Sequence, residues 1–213
     1  GATETSEASE PGDTPESGDG SETDSARMHP RELMAALDEA LPEDRLVVSD
    51  SGQATGWVIN GITVRRPEDY VWPMEFGTIG LAHPFAQGAA HADDDRLIVA
   101  FCGDAGFLMS LQELDTAVRR DLPLLVVVVD DEALGAEYQQ LITKNEHEAA
   151  AAIPTPDFAS IAEGFGAEGY TVSSTDDLES VADRIGRNAD GPVVLDCEVD
   201  REARHPFFDR GGE

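Results

Sequence analysis

Basic residues are scarce in this chain of 213 residues, which has 14 Lys and Arg against 44 Asp and Glu. The formal net charge of −30 excludes a nucleic-acid partner, because phosphates require a basic face, and it argues equally against anionic membranes. The acidic excess runs along the whole chain together with dense apolar segments. We therefore interpret it as adaptation to high salt (a halophilic protein) rather than as an acidic interaction segment. In molar salt the Debye length falls to about 3 Å, and surface carboxylates no longer repel one another.

Cysteines and long apolar runs are also few. Cys102 and Cys197 cannot form a disulfide framework, and each ends an apolar run in which a buried, reduced thiol fits. No run reaches the roughly 20 apolar residues that a membrane-spanning helix needs. The first residues are acidic, so we expect no signal peptide. These absences predict a cytoplasmic protein that is not bound to a membrane.

The two ends of the chain are predicted to be tails. Residues 1–29 are predicted to form a disordered acidic tail or linker, because residues 1–27 contain no aromatic and no β-branched aliphatic side chain. Such a segment cannot bury enough apolar surface to offset the entropy of ordering. Residues 206–213 form a short predicted C-terminal tail. The domain is therefore predicted to span residues 30–205.

Helical and strand-like segments alternate in this domain. Residues 31–41 place four apolar side chains, from Leu33 to Leu41, on one helical stripe. Residues 124–129 have no polar face, as expected for a central parallel strand that is covered on both sides. We therefore predict an α/β fold: a doubly wound, mainly parallel sheet with helices on both faces. The four predicted strands are residues 46–49, 97–102, 124–129 and 193–197.

Two aspartates follow two of these strands at the points where each strand ends. Asp104 lies in the small turn from Gly103 to Gly106, and Asp131 follows the next predicted strand. A right-handed βαβ crossover brings the carboxyl ends of both strands to one edge of the sheet, about 4.8 Å apart if the strands are direct neighbours. Both carboxylates can then reach one divalent ion, which would offset a mutual repulsion of roughly 4 kcal/mol.

A magnesium ion at this edge implies a phosphate, because Mg²⁺ takes one or two carboxylates and completes its octahedron with phosphate oxygens and water. The small residues Gly103, Ala105 and Gly106 let backbone N–H groups approach that phosphate beside a helix start. Neighbouring side chains of an extended segment point in opposite directions, so only one of Asp130 and Asp131 is a direct ligand. The alternative is that Gly-Asp is an ordinary turn and Asp-Asp the start of a loop.

The segment from Gly103 to Gln139 resembles the diphosphate-binding domain of the thiamine-diphosphate-dependent enzymes. That family has a Gly-Asp-Gly-type motif and, after a helix and a strand, an Asn-Asn-type pair. Here the motifs read Gly103-Asp104-Ala105 and Asp130-Asp131, and Asp131 follows Asp104 by 27 residues, which is the family's spacing. The run from Gly106 to Leu114 is most similar to the acetolactate synthase large subunit. The resemblance covers residues 30–200, approximately.

The resemblance implies thiamine diphosphate and Mg²⁺ as cofactors and assigns residues to both. The metal ligands would be the side chains of Asp104 and Asp131 and the backbone carbonyl of Ala133. Ile79 would be the bulky apolar residue that holds the cofactor in its bent shape, within the loop from Gly77 to Gly80. The full set of implied cofactor-binding residues is Ser51, Gly52, Gln53, Gly77, Ile79, Gly103, Asp104, Ala105, Gly106 and Asp131.

The chain departs from the family pattern in ways that bear on function. The Asn-Asn pair is Asp-Asp, which adds negative charge and leaves Asp130 without a role, and a histidine that often follows Gly-Gln in the synthases is Ala54. In the family, the glutamate that activates the cofactor lies on a pyrimidine-binding domain, which we do not expect in this chain. The catalytic residues therefore stay unassigned.

The implied function is that of a transferase or lyase that makes or breaks a carbon–carbon bond at a 2-oxo acid, as acetolactate synthase does. The chain alone would be inactive, because it needs a pyrimidine-binding domain or subunit in a homo- or hetero-oligomer. Two alternatives stay open. The chain could be the small subunit of a two-chain 2-oxo acid decarboxylase, or a non-catalytic module that binds metal and diphosphate.

Three side chains outside the motifs are further candidates for contact with a substrate. His83 follows the loop from Gly77 to Gly80, and its ordinary alternative is a partly exposed histidine. Glu137 and Tyr138 begin a predicted helix that borders the active site in relatives of this family. Their ordinary alternative is plain helix surface.

We predict that the fold requires salt. Screening of the surface carboxylates should raise the thermal midpoint between low and molar KCl, and a gain of about 2 kcal/mol would correspond to roughly 4–8 °C. Scanning calorimetry measures this midpoint, and an equal osmolality of sucrose provides the uncharged control. A midpoint that did not rise with KCl would contradict adaptation to salt.

Overall fold

The computed structural model describes residues 27–93, 95–185 and 191–206, which form a six-stranded sheet covered by helices. The strands are β1 (Arg45–Ser49), β2 (Tyr70–Val71), β3 (Leu97–Gly103), β4 (Leu124–Asp130), β5 (Glu168–Val172) and β6 (Val193–Glu198). All pairs are parallel, in the order β2-β1-β3-β4-β6-β5. The predicted doubly wound α/β fold is confirmed. The helices are α1 (Pro30–Ala40), α2 (Gln53–Gly61), α3 (Ala82–Ala92), α4 (Asp104–Ser110), α5 (Glu113–Arg119), α6 (Gly135–Thr143), α7 (Phe158–Phe165) and α8 (Thr175–Val181).

The four strands predicted from apolar runs are the four inner strands of the sheet. Every residue of β4 is buried, as expected for a strand with helices on both faces. The two edge strands were not predicted. β2 has only two residues, and β5 mixes Glu168, Gly169 and Thr171 with two apolar residues, so neither forms an apolar run.

Alternating side chains of the strands divide the core into two layers. Val99 and Phe101 of β3 pack in the layer that contains α1, α2 and α8. Ile98 and Ala100 of the same strand pack in the layer that contains α3, α4, α5 and α7. This alternation follows from the two-residue repeat of a strand. Among the described residues, the helices are all too short and too polar to cross a membrane.

The connections between strands determine where the sheet opens. The chain leaves β1 through α2 on one face, and it leaves β3 through α4 and α5 on the opposite face. Adjacent parallel strands whose connections depart to opposite faces leave a crevice at their carboxyl ends, where ligands bind in folds of this type. The fold therefore places a crevice between the ends of β1 and β3.

The folded part begins ahead of Pro30, within the residues that the sequence analysis assigned to the N-terminal tail. Met28 is buried and forms a parallel bridge with Val199. His29 caps α1, because its Nδ1 atom accepts a hydrogen bond from the backbone N of Arg31 at 3.0 Å. The rest of the predicted N-terminal tail (residues 1–26) and nearly all of the C-terminal one (207–213) lie outside the described residues.

Substitution of Gly169 in β5 should separate α7 from the sheet. A methyl group at this position would overlap the backbone carbonyl of Ala159 in α7. Overpacking of this kind typically costs about 1–3 kcal/mol, so Gly169→Ala should lower the free energy of unfolding by that amount in urea titrations. Gly88→Ala is the matched control, because Gly88 of α3 is exposed and has open space around it. That control should be neutral or stabilise by about 0.5–1 kcal/mol, and equal losses in both variants would contradict the packing argument.

Candidate functional site

Four segments of the chain surround the crevice between β1 and β3. They are the loop after β1, the loop before α3, the turn from β3 into α4, and the loop from β4 into the start of α6. The lining residues include nearly all of the candidate cofactor residues. They are Ser51, Gly52, Gln53, Ala54, Ile79, Gly103, Asp104, Ala105, Gly106, Val129, Asp131, Ala133, Leu134, Gly135, Ala136 and Glu137.

Asp104 begins α4 directly after β3 and is buried. Its Oδ1 atom accepts a hydrogen bond from the backbone N of Ala105 at 2.6 Å, and its Oδ2 atom accepts one from the backbone N of Ala133 at 3.0 Å. A carboxylate has about four lone-pair directions, so both oxygens keep capacity for a cation. The second bond ties the loop after β4 to the loop after β3.

Asp130 and Asp131 have different partners, although both interact with Asp104. The Asp130 carboxylate accepts hydrogen bonds from Glu132 N at 3.0 Å and from the Thr155 hydroxyl at 2.9 Å. Asp131 instead lines the crevice beside Asp104. A side chain on Gly135 would overlap the Asp131 Oδ2 atom, so the start of α6 can approach this carboxylate only as glycine.

Burial and like charge disfavour ionisation of both crevice carboxylates. Desolvation, followed by repulsion from Asp131, raises the pKa of Asp104 to about 9. Desolvation, followed by repulsion from Asp130, raises the pKa of Asp131 to about 7. In the described part of the chain, neither carboxylate forms an ion pair with an Arg or a Lys. A cation between them would restore the ionised form of both.

The donor set fits a magnesium ion that shares its ligands with a phosphate. Among the described residues, no group of three or more His, Cys, Asp or Glu side chains could hold a metal. Asp104, Asp131 and the backbone of Ala133 therefore offer an incomplete oxygen shell. Mg²⁺ accepts such a shell, because it keeps water and substrate phosphate oxygens in its remaining positions.

Two helix starts at the crevice fit the anionic part of such a ligand. α2 begins after Gly52 and α6 begins after Leu134, and neither helix has a side-chain cap. The first N–H groups of an uncapped helix are unpaired and attract anions. Gly52 has a φ of 112°, which favours glycine, and it turns the chain into α2 without a side chain over the crevice.

Two of the candidates lie away from the crevice lining. Gly77 turns the preceding loop with a φ of 67°, and its N–H group donates to the Met74 carbonyl at 2.9 Å. The Tyr138 hydroxyl donates to Glu202 at 2.7 Å, and the ring is buried. Glu137, in contrast, does line the crevice.

His83 is not partly exposed, so that expectation was wrong, and its side chain does not line the crevice. The ring is fully buried, with Nδ1 3.3 Å from the Ser110 carbonyl and Nε2 3.0 Å from the Gln87 amide nitrogen. Desolvation lowers the pKa of His83 to about 4, so the ring is neutral and links α3 to the end of α4. Cys102 and Cys197 are buried free thiols, as predicted.

The sequence analysis missed Asp50, which follows β1 and is 2% exposed. Its carboxylate accepts hydrogen bonds from the backbone N of Ser51 at 2.9 Å and of Gly80 at 2.7 Å. Desolvation raises the pKa of this carboxyl, against the effect of these N–H donors. The available signal was an aspartate at the end of an apolar strand, directly before the Ser-Gly-Gln loop.

A second crevice lies at the same edge of the sheet, between the ends of β4 and β6. It has a volume of about 240 Å³, and its acidic lining includes Asp130, Asp196 and Glu198. Asp196 is buried, and its Oδ2 atom accepts a hydrogen bond from Phe158 N at 3.0 Å. Desolvation, followed by repulsion from Asp130, raises the pKa of Asp196 to about 7. Val129 lines the first crevice and Asp130 lines the second, so the end of β4 contributes to both.

Comparison with solved structures supports the fold. A thiamine diphosphate-dependent 4-hydroxybenzoylformate decarboxylase from Rhodococcus jostii RHA1 superimposes with a TM-score of 0.76 at 21% sequence identity. The match covers 95% of this chain and 36% of that enzyme. At this identity the likeness establishes the shared architecture.

Two sequence relatives illustrate how much of a longer enzyme this chain represents. The acetolactate synthase isozyme 2 large subunit of Escherichia coli K12 is 34% identical over 170 residues, covering 79% of this chain and 31% of the relative. A sulfoacetaldehyde acetyltransferase of Alcaligenes xylosoxydans xylosoxydans is 33% identical over 197 residues, covering 89% and 32%. The chain thus spans about a third of the length of these relatives.

The family match covers the crevice itself. Residues 50–197 match the family model described as "Thiamine pyrophosphate enzyme, C-terminal TPP binding domain". This segment runs from Asp50 before the first loop of the crevice to Cys197 in β6, and it includes both crevice aspartates. The chain therefore belongs to the family of C-terminal, TPP-binding domains of the thiamine pyrophosphate enzymes.

Proposed function

We propose that this chain binds the diphosphate end of thiamine diphosphate together with Mg²⁺, in an enzyme that makes or breaks a carbon–carbon bond at a 2-oxo acid. The observation that carries the proposal is the pair of buried carboxylates, Asp104 and Asp131, at a crevice onto which two uncapped helix starts open. A divalent cation would stabilise the ionised form of both carboxyls, and the uncapped helix starts favour an anion. Magnesium diphosphate supplies both charges in one ligand.

In this proposal, each part of the crevice has a separate task. Asp104 and Asp131 hold the metal with their side chains, and Ala133 adds its backbone carbonyl. The diphosphate lies against the small residues from Gly103 to Gly106 and against the loop from Ser51 to Gln53. Lack of bulky side chains there lets backbone N–H groups reach phosphate oxygens.

Ile79 has a steric task. Its side chain lines the crevice together with the loop after β1 and the start of α4. We propose that it supports the bent conformation of the cofactor. Gly77 acts indirectly, through the turn that precedes this residue. Bound thiamine diphosphate supplies the carbanion chemistry, while the protein supplies orientation and electrostatics.

The proposal includes a pyrimidine-binding domain or subunit that completes the site, in a homo- or hetero-oligomer. An exposed apolar surface beside the crevice supports it. Phe76 is 82% exposed, Met109 57% and Phe85 49%, and the Met109 side chain borders Gly80 next to Ile79. Contiguous exposed apolar groups mark interaction sites, so we infer that the pyrimidine-binding domain covers this surface.

A cytoplasmic location stays a prediction from the sequence.

Thiamine diphosphate should bind this chain only with Mg²⁺, as measured by calorimetric titration in molar KCl. Asp104→Ala should weaken binding by at least roughly tenfold, since even the outer-shell partners of a metal typically contribute 10–100-fold. Asp196→Asn is the matched control, because Asp196 is equally buried at the same sheet edge but lines the second crevice. It should bind like the wild type. Binding without metal, or binding that Asp104→Ala leaves intact, would refute the site.

The stability of the metal-free chain should fall as the pH rises from 5 to 9. The folded-state pKa values of Asp104 and Asp131, about 9 and about 7, lie above the value of 3.8 that is usual for an aspartate. The unfolded chain therefore loses these protons first, and the free energy of unfolding decreases with pH by up to about 1.4 kcal/mol per pH unit for each proton.

Urea titrations at several pH values measure this slope. Asp131→Asn should flatten it, and Mg²⁺ should raise the free energy of unfolding most at pH 9, where the ionised carboxylates bind the ion. A slope that is identical in the wild type and in Asp131→Asn would show that this carboxyl has no raised pKa.

A further inference from the structure

The Asp50 side chain joins two loops of the crevice that are far apart in the sequence. Its Oδ1 atom accepts a hydrogen bond from Ser51 N at 2.9 Å and a longer one from Leu81 N at 3.4 Å. Its Oδ2 atom accepts one from Gly80 N at 2.7 Å. The loop that carries Ile79 is therefore fixed to the end of β1 through one carboxylate.

The third loop packs directly on the same carboxylate. A Cβ atom on Gly106 would lie 2.5 Å from the Asp50 Oδ2 atom and 3.3 Å from Gly80 N. Glycine at this position allows the start of α4 to contact both groups. The loop after β1, the loop before α3 and the start of α4 thus meet at Asp50.

The position of Asp50 is itself tightly determined. Its backbone N donates to the Phe101 carbonyl at 2.9 Å, which extends the pairing of β1 with β3. The Thr55 hydroxyl donates to its backbone carbonyl. In the described part of the chain its carboxylate forms no ion pair with Arg or Lys, so loop N–H groups are its partners. Charge-assisted bonds of this kind are shorter and stronger than neutral ones.

We propose that Asp50 is a positioning residue that sets the distance between Ile79 and the Ser51–Gln53 loop, and so matches the crevice to a bent diphosphate cofactor. This inference rests on the proposed function for the identity of the ligand. The geometry of the loops can be tested without any ligand. Asp50 does not line the crevice and acts only through the loops that it holds.

We call the hydrogen bonds of Asp50 to these loops the clamp. Hydrogen exchange of the metal-free and cofactor-free chain tests whether the clamp holds the loops. In Asp50→Asn one carboxylate oxygen becomes an N–H donor that faces a backbone N–H donor, so the loop bonds cannot all form. The amides of Gly80 and Leu81 should then exchange at least about tenfold faster, as expected when a local opening becomes easier. Amides of β4 should keep the wild-type rate.

Cofactor binding tests whether the position of the loops affects the affinity of the crevice. Asp50→Asn should raise the dissociation constant of thiamine diphosphate with Mg²⁺ by roughly 10–100-fold, the usual effect of removing an outer-shell partner. Asp196→Asn is the control, since this carboxylate is similarly buried and accepts a backbone N–H, that of Phe158. It should change neither the exchange of Gly80 nor the dissociation constant.

A second variant leaves Asp50 in place. Gly106→Ala inserts a methyl group against the Asp50 carboxylate, and it should also accelerate the exchange of Gly80. The effect should be smaller when Asp50 is already alanine, so the double variant should be less than additive. If Asp50→Asn does not fold, the single variant Gly106→Ala still decides, because it keeps Asp50, and unchanged exchange of Gly80 in it would overturn the clamp.

The two proposals fail in different ways. A wild-type chain that binds no thiamine diphosphate, but whose loop amides respond to Asp50→Asn, would overturn the proposed function and leave the clamp supported. Unchanged exchange of Gly80 and Leu81 would overturn the clamp, whatever happens to binding. Weaker binding with unchanged exchange would show that Asp50 does not act by positioning.

Discussion

Desolvation of negative charge at the carboxyl edge of the sheet is the constraint on which the rest of the site depends. The five aspartates at this edge are all buried, and within the described residues none of them forms an ion pair with Arg or Lys. Backbone N–H groups and the Thr155 hydroxyl donate to them, whereas Oδ1 of Asp196 has no hydrogen-bond partner in the described part of the chain. The loop conformations and the carboxylates therefore stabilise each other. These residues are Asp50, Asp104, Asp130, Asp131 and Asp196.

The register of β3 and β4 brings two of these aspartates together at one site. Gly103 at the end of β3 pairs with Val129 of β4, so both strands end almost level and the following aspartates come together. The opposite exits of β1 and β3 then open the crevice beside them. In the proposed function, a metal ion and the diphosphate occupy this one groove.

The central part of this arrangement could be predicted because it is local in the sequence. Apolar runs identify the inner strands, and the interval from Asp104 to Asp131 corresponds to one βαβ unit. β5 could not be found in this way, because its mixed residues suit an edge strand. Asp50 was missed because its partners Gly80 and Leu81 lie 30 and 31 residues away. His83 was misjudged because its burial depends on packing between α3 and α4.

The end of β4 lines both crevices, and its last residue, Asp130, lies close enough to an aspartate of each to repel it. Asp130 repels both Asp131 in the first crevice and Asp196 in the second. Asp130 thus influences one carboxyl in each crevice, although the crevices share no lining aspartate. Neutralising Asp130 makes it easier for the carboxyl on either side to ionise, and this communication requires no movement of the backbone. A single strand end thus links the ionisation of two carboxyls on either side of it, whereas linkage through helices and loops would require them to move.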